Sequence, residues 1–223
     1  MSRYVWAEPP SQTAFPIARP GLPFIGAAGF VTAVFALLGL QWPALFCLVA
    51  TLCICGFFRD PDRVIPTEDA AVVSPADGKI IVCEKVAQSD FYEGECLKIS
   101  IFMTVFNVHV NRMVYDGTVT DVNYHPGKFF SANLDKASRE NEHNALTLEG
   151  PGGHHMVVVQ IAGLIARRIV CGVQPGTNLV RGERFGMICF GSRLDVYLPP
   201  ATTAKVSVGD KVAAGTSILG YLK

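Results

Sequence analysis

Gly191-Ser192 interrupts the run MICFGSRLDVYLPP (187–200), which is otherwise rich in Ile, Phe, Leu, Val and Tyr and reads as one strand. Glycine inside a strand marks a bulge or a close approach of backbone. Two further residues have the chemistry to act on that serine: His109, in the strand-like FNVHVNR, and Asp77, in the turn SPADGK. A serine oxygen becomes a nucleophile when a histidine takes its proton and a carboxylate orients the histidine. Spacing alone does not bring the three together. Attack on an external acyl group is the hydrolase outcome, but no G-x-S-x-G elbow surrounds Ser192, and Leu194 stands where its second glycine would be. The other outcome is attack on the carbonyl of Gly191, where the absence of a side chain lets the backbone bend. The peptide becomes an ester. Loss of the serine α-proton expels the Gly191 carboxylate and leaves dehydroalanine, which loses ammonia in water and becomes a pyruvoyl ketone. The products are chains 1–191 and 192–223. Such a ketone forms a Schiff base with a substrate amine and accepts the electrons of a departing carboxylate, as pyridoxal phosphate does.

The elements that must position these residues fall into three segments. Residues 1–20 form a Pro-containing polar tail, expected to be loosely ordered. Residues 21–58 contain no charged side chain. Leu22–Leu40 meets the ~20 apolar residues that a spanning helix needs, Pro43–Phe58 falls slightly short, and Gln41-Trp42-Pro43 breaks the run between them. The segment reads as two helices joined by a tight turn, crossing a bilayer twice or dipping into it, with a buried hairpin in a soluble core as the alternative. Arg3 and Arg19 precede it and Arg59 and Arg63 follow it, which places both ends on the cytoplasmic side.

From Arg59 onward, Val, Ile and Thr alternate with polar residues. KIIVCEKV, CLKISIFM, FNVHVNRMVY, GTVTDVNY, NALTLEG, MVVVQIAG, RRIVCGV and 187–198 each read as strands, with a hairpin turn at Asp116-Gly117 and a short helix within 131–141. VVSPADGKIIVCEKV (72–86) and AKVSVGDKVAAGTSILGYL (204–222) resemble the two halves of biotinyl- and lipoyl-carrier folds. The expected fold is mainly β, a barrel-sandwich hybrid of that kind, with an N-terminal apolar helical hairpin.

Nineteen basic and nineteen acidic residues give zero net charge, so no global basic field exists to hold a nucleic acid, and none is expected as a partner. The seven cysteines contain no C-x-x-C pair and read as reduced, buried thiols. His154-His155 points to opposite faces of a strand, so no metal site is expected there. HPGKFFSANLDKASRENEHN (125–144) is a long polar loop with two aromatics. As a lid over a lipid head group it would offer Lys128, Lys136 and Arg139 to a phosphodiester and Phe129-Phe130 to acyl chains or the interface.

FGMICFGSRLDVYLP, SPADGKI, FMTVFNVHVNR, YHPGKFFSANLDKASRENEHNAL and VQIAGLIARRIV together resemble the short bacterial form of phosphatidylserine decarboxylase, in the right order over most of 59–223. The apolar leader fits as well. The long bacterial branch reads L-G-S-T at the cleavage point where this chain reads F-G-S-R, which is compatible with the short branch. The resemblance implies a self-cleaving, pyruvoyl-dependent carboxy-lyase that makes phosphatidylethanolamine. Ser192 would become the pyruvoyl group, and Asp77 and His109 would complete the self-cleavage triad. His109 would also be a candidate proton donor in decarboxylation. A large β chain (1–191) and a small α chain (192–223) would stay together as a heterodimer, with further oligomerisation left open. Residues 59–223 would face the cytoplasm at the inner membrane, where phosphatidylserine and the bilayer are the partners. Two other readings remain: a membrane-anchored lipoyl-like adaptor without catalysis, and a serine hydrolase using the same three residues.

Overall fold

The computed structural model describes residues 4–11, 13, 15–132, 137–164, 168–189 and 191–223, with the side chains of all but Ala137 and Arg139. The chain forms two compact units, one of residues 10–62 and one of residues 63–223 together with the described residues up to Pro9.

The smaller unit is a helical hairpin. Helix α1 (Leu22–Leu37) and helix α2 (Gln41–Phe57) are joined at Leu38–Leu40, where Gly39 takes a left-handed conformation at φ 72°. With its leading turn, Arg19–Leu37 is long and apolar enough to cross a membrane; α2 has 17 residues and is shorter. The hydroxyls of Thr32 and Thr51 meet at 3.1 Å between the helices. Each also donates to the carbonyl four residues back, on Ala28 and Cys47, so neither leaves a polar group unsatisfied among apolar side chains.

The larger unit is mainly β. Its principal sheet has eight strands, and its centre is the strand Ser192–Leu198. That strand pairs antiparallel with Cys96–Met103 on one edge and His154–Ala162 on the other. Its side chains alternate between two buried faces. Leu194, Val196 and Leu198 join the main core with Ile80, Ile99, Ile101 and Val158. Arg193, Asp195 and Tyr197 point the other way and are also buried.

The sequence expectations hold for most strands and fail in four places. The 187–198 run is two strands, Arg184–Cys189 and Ser192–Leu198, in different sheets. The Val110–Arg112 strand starts one residue after His109, because Asn107 closes a turn on Thr104 instead of extending. Asp116-Gly117 is not a hairpin turn: the strands flanking it belong to different sheets, and Asp116 instead accepts the amide N–H of Arg181. Within the tail, Tyr4–Trp6 is a strand paired with Val64–Pro66. The two carrier-like stretches do pair with each other, Lys211–Val212 against Lys79–Gly78 and Ile218–Tyr221 against Val73–Ala71.

On the back of the central strand lies a buried ion pair. The Arg193 guanidinium reaches Asp195 at 2.5 and 3.0 Å and Ser100 at 2.9 Å, while Ser138 and Lys98 approach the same carboxylate at 3.1 and 3.5 Å. Breaking such a pair strands a charge. Asp195→Asn is expected to lower unfolding free energy by about 3–5 kcal/mol in denaturant titrations. Arg193→Met with Asp195→Leu should recover much of that loss, because no charge is then buried alone.

Candidate active site

The strand Arg184–Cys189 ends just short of Gly191, which has φ 69° and leads into the central strand at Ser192. Gly191 thus takes a left-handed conformation between a strand of one sheet and a strand of another. A Cβ at Gly191 would touch nothing within 4 Å, so glycine is required there by conformation and not by space.

Ser192 is fully buried. Its Oγ lies 3.3 Å from Sδ of Met103, its cross-strand neighbour. A thioether is a weak acceptor, so the hydroxyl is held loosely and stays available as a nucleophile. The Cys189 thiol does not compete, because burial raises its pKa more than nearby Arg168 lowers it, and it remains protonated.

His109 is also fully buried. Its Nδ1 lies 2.9 Å from the carbonyl oxygen of Asn107, and a carbonyl only accepts, so Nδ1 carries the proton. The lone pair therefore sits on Nε2, which accepts the N–H of Gly191 at 3.4 Å. Asn107 is itself pinned, its Oδ1 accepting from N and Oγ1 of Thr104 at 2.8 Å each. A neutral base is thus held against the peptide segment that contains the serine.

The carbonyl of Gly191 lies against Gly163. A Cβ on Gly163 would come within 2.3 Å of that oxygen and 3.4 Å of the Ala132 Cβ, so this glycine is required by space. Gly163→Ala must push the carbonyl aside, and displacements of about 1 Å cost reactions ~100-fold. Any reaction at that carbonyl is expected to slow by that order in a time course after synthesis, with the fold retained by circular dichroism.

A cavity of 220 Å³ opens beside Gly191, walled by Phe102, Met103, Val105, Ala132, Gly163 and Leu164 among others. Two larger cavities, of 510 and 380 Å³, open on the opposite face of the sheet, one lined by Lys98, Arg193 and Tyr197 and the other by His125 and His143. Of these three, the smaller cavity is the one lined by Gly191.

Asp77, the third residue of the expected triad, bonds to other partners. Both carboxylate oxygens of Asp77 are held by Arg63, at 2.8 and 2.9 Å, and one also accepts the amide N–H of Ala214 at 2.8 Å. The carbonyl of Asn107, and not this carboxylate, orients Nδ1 of His109. Of the expected head-group residues, Lys128 pairs with Glu140 at 3.1 Å and lies over the Phe130 ring. Phe129 packs against the main core, and both backbone groups of Phe130 are held by Asn141. Lys136 and the side chain of Arg139 lie outside the described residues. None of Lys128, Phe129 and Phe130 lines the cavity at Gly191.

Met103, Asn107 and Gly163 are the site residues that sequence reasoning missed. For Gly163 a signal existed, since a glycine ending an apolar strand often marks close backbone approach.

Comparison with known proteins settles the family. The phosphatidylserine decarboxylase family model matches residues 50–220. The chain belongs to the phosphatidylserine decarboxylase family. It is 51% identical over 211 residues to the phosphatidylserine decarboxylase proenzyme of Desulfotalea psychrophila, covering 95% of this chain and 99% of the relative. It is 54% identical to the proenzyme of Geotalea uraniireducens, with 93% and 97% covered, and 53% identical to that of Nitrosomonas eutropha, with 93% and 95% covered. As a phosphatidylserine decarboxylase the chain is a carboxy-lyase of phospholipid biosynthesis.

Proposed function

We propose that this decarboxylase is made as a precursor that cuts itself between Gly191 and Ser192 and then converts phosphatidylserine to phosphatidylethanolamine through a pyruvoyl group derived from Ser192. The observation that carries the reading is the placement of a neutral His109 Nε2 on the Gly191 amide, beside a buried and weakly bonded Ser192 hydroxyl. The residues fit the group. Gly191 supplies the bend, Gly163 leaves room for the carbonyl, and the cavity opens at Gly191, the residue next to position 192.

In this reading His109 takes the serine proton as Oγ attacks the Gly191 carbonyl, and the proton passes to the departing serine nitrogen. Once formed, the ketone supplies an electron sink for the carboxylate that leaves as carbon dioxide. Asp77 acts through its Arg63 pair and the turn around Ala214, and so as a positioning residue rather than as the partner of the imidazole. The charge-free hairpin holds the enzyme at the inner membrane, where its substrate resides, with residues 59–223 on the cytoplasmic face.

Intact-mass spectrometry of the purified protein tests the reading. Two chains are expected, 1–191 and 192–223, the smaller one lighter by one ammonia than a serine-started peptide. A single full-length mass that persists in detergent would overturn it and favour a lipoyl-like adaptor or a serine hydrolase.

A further inference from the structure

The mouth of the cavity at Gly191 has an apolar rim. Val105 and Phe106 stand at the tip of the Thr104–Asn107 turn, 38% and 84% exposed, and Leu164, in the cavity wall, is 64% exposed. Of the described residues that line the cavity, from Phe102–Val105, Ser131–Ala132, Gly163–Leu164 and Gly191, none carries a charged side chain. The turn is also closed on itself. The amide N–H of Asn107 donates to the Thr104 carbonyl at 3.0 Å, and Asn107 Oδ1 accepts the N–H and hydroxyl of Thr104. A turn that pairs some of its own polar groups costs less to bring into a low-dielectric layer than one that pairs none.

The size of the cavity says what must lie against this rim. At 220 Å³ it is below the roughly 300–1,000 Å³ that encloses a drug-sized ligand, so it cannot take up a two-chain phospholipid whole. The acyl chains must remain where they are solvated, since each methylene drawn into water costs about fourfold in partition. The bilayer therefore has to come to the cavity mouth.

We propose that the Thr104–Asn107 turn, with Phe106 at its tip and Val105 and Leu164 beside it, inserts into the bilayer interface and seats the cavity over the lipid head-group layer. This rests on the reading that the enzyme acts on membrane-resident phosphatidylserine. The turn belongs to the β unit and not to the helical hairpin, and it sets the depth at which the active site meets its substrate. Because Asn107 also orients His109, the same turn ties that depth to the base.

The test compares two substrates on fully processed enzyme. One is long-chain phosphatidylserine in phosphatidylcholine vesicles, and the other is a dihexanoyl phosphatidylserine kept monomeric in solution. Phe106→Asp is expected to complete self-cleavage and to keep its kcat/KM on the soluble substrate within about twofold. On vesicles at limiting lipid its rate should fall by about tenfold or more, the scale of burying one aromatic side chain. Phe106→Leu, which keeps an apolar tip, should restore most of the vesicle rate. Equal losses on both substrates would overturn the proposal and make Phe106 part of the cavity's shape, and no loss on either would overturn it as well. A change in oligomeric state with an unchanged vesicle rate would overturn it in favour of a second copy of the chain as the occupant. Wild-type enzyme inert toward both substrates would overturn the reading on which the proposal stands.

Discussion

Ser192→Ala is expected to give one full-length chain with no decarboxylase activity. The substitution removes a single oxygen whose recorded partner is the Met103 sulfur, so the fold loses at most a weak hydrogen bond. The strand Ser192–Leu198 keeps both of its hydrogen-bonded edges, and Leu194 and Val196 keep their places in the core. Failure to cleave then reports on chemistry and not on folding. An electrophoretic gel and an intact mass suffice as the readout, with thermal unfolding to show that the precursor is folded. Appearance of the 192–223 fragment in this variant would show that the hydroxyl is not the nucleophile.

His109→Gln carries the second largest effect. A positioned general base is worth about 10²–10⁴-fold, so processing should slow by that factor. Thermal unfolding separates the loss of a base from the loss of packing. With Nδ1 donating to the Asn107 carbonyl, the Nε2 lone pair is what the substitution removes. Normal processing in a folded His109→Gln would move the base elsewhere.

Much of the β unit was readable from alternation. The strand Cys96–Met103 coincides with its apolar-polar pattern, and Gly117–His125 and His154–Ala162 differ from theirs by a residue or two. These segments are held by ladder pairing with neighbouring strands along most of their length. The break at Gly191 was not readable, because a glycine in an apolar run signals a bulge equally well. Only long-range pairing, of Ile169 with Ile188 and of Met103 with Ser192, sends the two halves to different sheets. The start of the 110–112 strand was missed for a local reason, the side chain of Asn107 bonding to Thr104 in place of a ladder partner.

At the candidate site, residue type singled out Ser192 and His109, because few side chains can do nucleophile-and-base chemistry, and the structure places Nε2 of His109 on the amide of Gly191. Type also pointed to Asp77, and here it misled about geometry. Arg63, fourteen residues away, holds that carboxylate, and nothing in the turn SPADGK announces the pairing. Gly163 shows the converse. Its importance lies in having nothing where the Gly191 carbonyl must fit, and an absent side chain leaves little trace in a pattern of types.

The strand that begins at Ser192 lies in the middle of the sheet, and residues 192–223 also supply Lys211–Val212 to that sheet and Ile218–Tyr221 to a smaller one. Cutting before Ser192 therefore changes the reaction order of folding. The precursor folds as one chain, at a rate independent of concentration. The two-chain enzyme, once unfolded, must find its fragment again by collision, and dilution works against it. Under the proposed cleavage, a unimolecular fold would become a bimolecular assembly. Recovery of activity after denaturation should scale with protein concentration for the mature enzyme and not for the Ser192→Ala precursor's recovery of structure.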